Sequence, residues 1–85
     1  MKTVEIYTST FCGFCVAAKR LLTKKGVEFT EYNVGNDPAK RQEMMARANG
    51  GHTVPQIFIG DTHVGGCDDI FALEGDGKLD AMLAD

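Results

Sequence analysis

The stretch that most constrains this chain is Val4-Glu5-Ile6-Tyr7-Thr8-Ser9-Thr10-Phe11-Cys12-Gly13-Phe14-Cys15-Val16-Ala17-Ala18. An alternating, β-rich run meets a short polar turn, and two cysteines spaced C-x-x-C then open an amphipathic helix. Phe14, Ala17, Ala18, Leu21 and Leu22 fall at i, i+3, i+4, i+7 and i+8, which predicts a helix over about Gly13 to Lys25. Lys19, Arg20, Thr23, Lys24 and Lys25 take its other face, and Gly26 supplies the stop after a cationic last turn. The helix gives the two sulfurs different jobs. Cys12 stands at the start, where unpaired backbone N–H groups and the positive end of the dipole favour a thiolate, so its pKa should fall below ~8.5. Cys15 lies about one turn further on, beside the apolar face, and should be sheltered, with a higher pKa. One exposed thiolate and one sheltered thiol on the same turn make an attacker and a resolver, that is, a redox dithiol.

Two plainer readings compete with this one. Cys12 and Cys15 could be half of a zinc site completed by His63 and Cys67, or simply two inert core cysteines. The zinc reading is weaker because its second half is one thiol and one imidazole, and because the first pair already opens a helix after a strand. With 85 residues the chain is expected to be one domain, 1–85, with a modest but adequate core. Three cysteines are too few and too uneven for a secreted disulfide framework. Met1-Lys2-Thr3-Val4-Glu5 runs straight into the first strand, and no apolar run approaches membrane-spanning length. We therefore expect no signal peptide, no membrane anchor and a reducing cytoplasm. A net charge of −3 without blocks of one sign gives no nucleic-acid or membrane-surface signature.

Along the chain, a first strand is expected at about Thr3 to Thr8, with Val4 and Ile6 on one face and Glu5 and Tyr7 on the other. A second follows the helix, Val27 to Val34, making a right-handed βαβ unit with parallel strands. Asp37 as N-cap and Pro38 at the first position start a helix to about Ala48, burying Met44, Met45 and Ala48; Asn49-Gly50-Gly51 ends it. The methionines there read as adaptable core filling. Gly60-Asp61 between Gln56–Ile59 and Thr62–Val64 reads as a tight hairpin turn. Pro55 heads that first strand, and either a trans edge proline or a cis bond exposing backbone groups of Val54 fits the position. Cys67-Asp68-Asp69 opens a short helix to about Leu73. Its acidic residues can be dipole partners and caps; alternatively the helix terminus holds a carboxylate and an aspartate holds an ammonium, gripping an α-amino acid. Leu79, Met82 and Leu83 suggest a last amphipathic turn. His52 and His63 are assigned nothing.

Cys12-Gly13-Phe14-Cys15 opening a helix, then Thr53-Val54-Pro55-Gln56, then Gly65-Gly66-Cys67-Asp68-Asp69, in this order and at these separations, resembles the glutaredoxin family, most closely its small bacterial dithiol members. The resemblance spans nearly the whole chain. It implies an α/β, thioredoxin-like fold: a four-stranded mixed sheet in order 2-1-3-4 flanked by helices, with Pro55 cis. It implies a glutathione-dependent thiol–disulfide oxidoreductase in which Cys12 is the nucleophile and Cys15 the resolving thiol. By the same resemblance, Thr53, Val54 and Pro55 carry the segment that pairs with the cysteinyl part of glutathione. Gly66, Cys67 and Asp68 form the helix start that binds its γ-glutamyl carboxylate and ammonium. Arg41 and Gln42 lie where the family contacts the glycine carboxylate, Phe14 lines the groove, and Cys67 is a backbone contact rather than a third redox centre. Implied partners are glutathione and disulfide-containing or glutathionylated proteins, with a monomer in the cluster-free state.

The chain departs from the family pattern in three places. Gly13-Phe14 stands where most dithiol members have proline and tyrosine, Ser9 replaces a frequent lysine, and Phe11 replaces a small polar residue. Without that lysine we expect slightly less thiolate stabilisation and weaker glutathione binding, unless Arg41 compensates. Gly13-Phe14 also resembles the C-G-F-S of monothiol members, which bridge a [2Fe–2S] cluster between two subunits through the active-site cysteine and glutathione. Cys15 in place of serine favours the disulfide reductase. A protein reduced by a thioredoxin reductase instead of glutathione is the third possibility.

Overall fold

The computed structural model describes residues 1–85, and its sheet grows outward from the first alternating run. Strand β1 (Val4–Thr8) lies parallel to β2 (Thr30–Asn33) and antiparallel to β3 (Gln56–Ile59), whose far edge pairs antiparallel with β4 (Thr62–Gly65). The order β2-β1-β3-β4 is the mixed 2-1-3-4 sheet expected. Helices α1 (Gly13–Lys24), α2 (Pro38–Arg47), α3 (Cys67–Gly75) and α4 (Leu79–Leu83) flank it.

Register divides the core in two. Directly opposed residues share a face, so Val4 with Ile59 and Ile6 with Ile57 point to one side, and Glu5 with Phe58 and Tyr7 with Gln56 to the other. On the first side Val4, Ile6, Ile57 and Ile59 pack with Ala18, Leu21 and Leu22 of α1, Ile70 of α3, and Leu79 and Leu83 of α4. On the second, Tyr7 and Phe58 pack with Val34 and with Met44 and Ala48 from the α2 segment. Both central strands are thus covered on both faces.

Two expected bounds shift, each for a local reason, and one residue of the expected apolar face is exposed. The second strand begins at Thr30, not Val27, because the Val27 N–H closes α1 on the Leu22 carbonyl at 3.0 Å while Gly26, at φ 75°, turns the chain. Val27 is buried under the helices rather than laid in the ladder. Helix α3 runs past Leu73 to Gly75, since the same kind of closure occurs only at Gly77 (φ 70°), where Lys78 N–H reaches the Leu73 carbonyl. Phe14, counted on the apolar face of α1, is 67% exposed: it sits on the first turn, outside both core clusters.

A polar network ties α2 to the sheet. Arg47 donates from Nη2 to Glu5 Oε1 at 3.0 Å and from Nη1 to the Tyr7 hydroxyl at 2.9 Å, and its guanidinium lies 4.1 Å from the Phe58 ring centre. Tyr7 in turn donates to Glu43, and Tyr32 to Glu5. The Arg47 hydrogen bond holds the Glu5 carboxyl below its usual pKa, and the Tyr7 hydroxyl does the same for Glu43. A carboxyl whose folded pKa is depressed adds stability that is present above its unfolded pKa and lost as pH falls through the folded value. We therefore expect Arg47→Met to lower unfolding stability by about 1–3 kcal/mol at neutral pH. The gap to wild type should narrow below about pH 4.5, the ordinary glutamate value, as Glu5 protonates. Denaturant midpoints measured from pH 7 to pH 3 check both points, and a gap constant with pH would contradict them.

Candidate functional site

The polar turn after β1 delivers Cys12 as the N-cap of α1, with extended backbone (φ −105°, ψ 105°). Its sulfur accepts from the Cys15 N–H at 3.1 Å, one of the donors the first turn leaves without an internal partner. After reduction the same N–H, at the positive end of a helix, gives a charge-assisted bond that favours the thiolate over the thiol. Cys12 is half-buried and Cys15 is 1% exposed beneath the first turn, which is the division between attacker and resolver expected from the spacing. The two sulfurs are joined as a disulfide, with the Cα atoms 5.2 Å apart.

Cys12 also looks toward a second segment. Its Sγ lies 3.9 Å from the Val54 carbonyl, next to the Val54–Pro55 peptide, which is cis. From there a groove of about 480 Å³ runs between the Thr53–Pro55 loop and the start of α3, walled by Gly66, Cys67 and Asp68 and overhung by the exposed Phe14 ring. On the other side of Cys12 lies a cleft of about 470 Å³ lined by Ser9, Phe11, Val16, Lys19 and Glu31. Phe11 is fully exposed at a left-handed φ of 58°. Glu31 accepts from the Thr8 hydroxyl at 2.6 Å and from Lys19 at 3.0 Å, which together hold its carboxyl below the usual range.

The start of α3 is organised by Asp69, whose Oδ2 accepts from the Gly66 N–H at 2.8 Å. Asp69 is thereby engaged with its own helix, whereas its neighbour Asp68 is exposed beside the groove. Burial, and then the Asp68 charge, push the Cys67 thiol above its ordinary pKa, so at neutral pH it stays protonated and is a poor nucleophile.

The structure brings most of the sequence-derived site residues together: Phe14, Thr53, Val54, Pro55, Gly66, Cys67 and Asp68 all line the groove. Arg41 and Gln42 do not line it. Arg41 reaches its border, donating from Nη1 to the His52 carbonyl at 2.9 Å, and Gln42 is exposed on α2. His63, Cys67 and the Cys12–Cys15 pair are not gathered into a metal-binding cluster. Sequence reasoning missed Gln56 and His63, which both line the groove and meet at 2.6 Å. The signal was there: a two-residue turn at Gly60-Asp61 sets His63 opposite Phe58, one face position from Gln56.

A sheltered cysteine and a half-buried N-cap cysteine, joined as a disulfide on the first turn of α1 beside a cis-proline loop, define a thiol–disulfide oxidoreductase of thioredoxin-like fold. The glutaredoxin family model matches residues 4–64. A glutaredoxin of Pseudomonas aeruginosa is 55% identical over 84 residues, covering 99% of each chain. The solution structure of a glutaredoxin from Brucella melitensis, 53% identical, superposes with a TM-score of 0.85 over 98% of this chain and 89% of its own. The crystal structure of a buckwheat glutaredoxin–glutathione complex, 30% identical, does so with 0.86 over 96% and 76%. The chain belongs to the glutaredoxin family, the glutathione-dependent thiol–disulfide oxidoreductases. No helix is long and apolar enough to cross a membrane.

Proposed function

We propose that the groove between the Thr53–Pro55 loop and the start of α3 is the glutathione site, and that chain 1–85 works as one domain on glutathionylated and disulfide-bonded proteins of the cytoplasm. The observation that carries this is the joint placement of the Val54 carbonyl 3.9 Å from Cys12 Sγ and of Asp68 on the opposite wall. An extended tripeptide lying along Thr53 and Val54 puts its cysteinyl sulfur at Cys12. Its γ-glutamyl carboxylate meets the free N–H groups at the start of α3, and its ammonium meets Asp68. The glycine carboxylate points toward Arg41, which spends one of its five N–H donors on His52, with Gln42 beside it. The exposed Phe11 and Phe14 flank Cys12 and suit contact with a protein substrate.

The reaction is thiol–disulfide exchange. Cys12 thiolate attacks the glutathione sulfur of a mixed disulfide; the Cys12–glutathione bond forms, the substrate–glutathione bond breaks, and the substrate leaves as thiolate. A second glutathione thiolate attacks the bound glutathione sulfur, releasing glutathione disulfide and restoring Cys12. Removing the Asp68 charge tests the site. Asp68→Asn should raise the KM for a small glutathione mixed disulfide about tenfold, the loss of one charge-assisted contact, with kcat within about twofold. An unchanged KM would remove Asp68 from the site.

Gly13-Phe14 keeps a second role in view. By its resemblance to the C-G-F-S of monothiol members, this pair implies a [2Fe–2S] cluster held by Cys12 from two copies plus two glutathione thiols. Cys12 at the surface suits that donor set. A visible spectrum of protein isolated anaerobically with glutathione decides: cluster absorption in a dimeric fraction supports this role, and a colourless monomer excludes it.

A further inference from the structure

Three successive carbonyls of the loop beside Cys12 are each addressed by a different side chain. Arg41 Nη1 donates to His52 O at 2.9 Å, Gln56 Nε2 donates to Thr53 O at 3.0 Å, and Cys12 Sγ faces Val54 O at 3.9 Å. The middle contact is the most constrained. Gln56 is 5% exposed, and its amide passes so close under Gly51 that a Cβ there would meet Nε2 at 3.0 Å. A carbonyl can only accept, so the Gln56 NH₂ must face Thr53 and its Oε1 must face away. Facing Oε1 at 2.6 Å is His63 Nε2. Oε1 also only accepts, which assigns the proton to His63 Nε2. The imidazole is held for this by stacking on Phe58, with ring centres 4.9 Å apart.

We propose that Gln56 and His63 are a positioning pair for the glutathione-binding loop. His63 fixes the direction of the Gln56 amide, and the amide fixes the Thr53–Val54 peptide that presents itself to the cysteinyl part of glutathione. The pair acts on binding of the glutathione moiety and leaves the Cys12 chemistry alone, because its chain of hydrogen bonds ends at Thr53 and none of its members touches either active-site sulfur. This rests on the groove being the glutathione site.

The test compares His63→Phe, which keeps an aromatic ring for the Phe58 stack and deletes the donor, with His63→Gln, which returns an N–H at similar reach. Gln56→Glu replaces the donor to Thr53 with a carboxylate, which in its ionised form can only accept. In reduction of the mixed disulfide of cysteine and glutathione, coupled to glutathione reductase and NADPH, H63F and Q56E should each raise KM about five- to tenfold with kcat within about twofold of wild type. H63Q should recover most of the lost KM. Alkylation of reduced Cys12 by iodoacetamide, which needs no glutathione site, should proceed at the wild-type rate in all three. If D68N raises KM while H63F does not, the positioning pair is wrong and the groove stands. If D68N and H63F both leave KM unchanged, the glutathione groove itself is wrong. A fall in kcat or in alkylation rate in H63F, or an H63Q no better than H63F, also overturns the proposal.

Discussion

Cys12→Ser should reduce turnover of a glutathione mixed disulfide by at least about 10³-fold, to background, whereas Cys15→Ser should keep it within a few-fold of wild type. The asymmetry follows from the first turn of α1. Cys12 is the half-buried N-cap, and its sulfur accepts the Cys15 N–H; a hydroxyl in its place has no comparable anionic form near neutral pH. Cys15, 1% exposed, is not needed when glutathione itself performs the second attack. It is needed when the substrate is a protein disulfide, because then the mixed disulfide at Cys12 is resolved from within and a Cys12–Cys15 bond results. With a protein disulfide as substrate, C15S should accumulate covalent enzyme–substrate complex, seen as a reducible band on a non-reducing gel. Burying a hydroxyl at this position should also cost about 1–2 kcal/mol of stability, so the assay belongs well below the melting temperature. A C15S enzyme that lost mixed-disulfide turnover while remaining folded would show that the resolving thiol takes part in both routes.

The residues that made this centre legible in the sequence are those whose local pattern and tertiary role agree. The 3.6-residue period of α1, its glycine stop, the N-cap Asp37 and the Gly60-Asp61 turn all specify structure over a few residues, and the structure has each where the pattern put it. Three features escaped because the alternating pattern does not record what else each residue is committed to. Val27 has a strand-type side chain, but its N–H is committed to closing α1, so β2 starts later. Tyr7 shares its alternation face with Glu5 and is fully buried, because α2 covers the second face of β1 and Arg47, forty positions away, satisfies its hydroxyl. His63 looked like a surface histidine and is exposed; only the cross-strand register reveals that Nε2 meets a buried amide.

The last large effect is expected at Gly65, whose φ of 115° lies in the region that favours glycine and whose missing Cβ leaves room for the Asp69 carboxylate. A Cβ built there overlaps Asp69 Oδ2, and comes within 3.1 Å of Asp69 Cβ, so rotating the carboxylate away does not fully relieve the clash. Rotation also breaks the Asp69 bond to the Gly66 N–H that anchors the start of α3. Gly65→Ala should therefore destabilise the protein by about 2–4 kcal/mol, combining roughly 1–3 for the backbone conformation with roughly 1 for the lost cap. Gly13→Ala is the comparison: nothing lies within 4 Å of the added Cβ, and the position is a helix start with no positive φ, so stability should change by no more than about 0.5 kcal/mol. Because Gly66, Cys67 and Asp68 wall the groove, the damage at Gly65 should reach function as well. G65A should show a raised KM for the glutathione mixed disulfide at temperatures where it is still folded. The Cys12 alkylation rate should be unchanged, since α1 and its N-cap are untouched. Asp69→Asn separates the two causes. It keeps an oxygen for the Gly66 N–H and removes the charge at the helix start, so it should cost less than about 1 kcal/mol. If G65A unfolded at the wild-type denaturant midpoint, neither the close approach of Asp69 nor the backbone conformation at Gly65 could be a constraint on this fold, and the cap would have to hold α3 by contacts other than the one at Gly66.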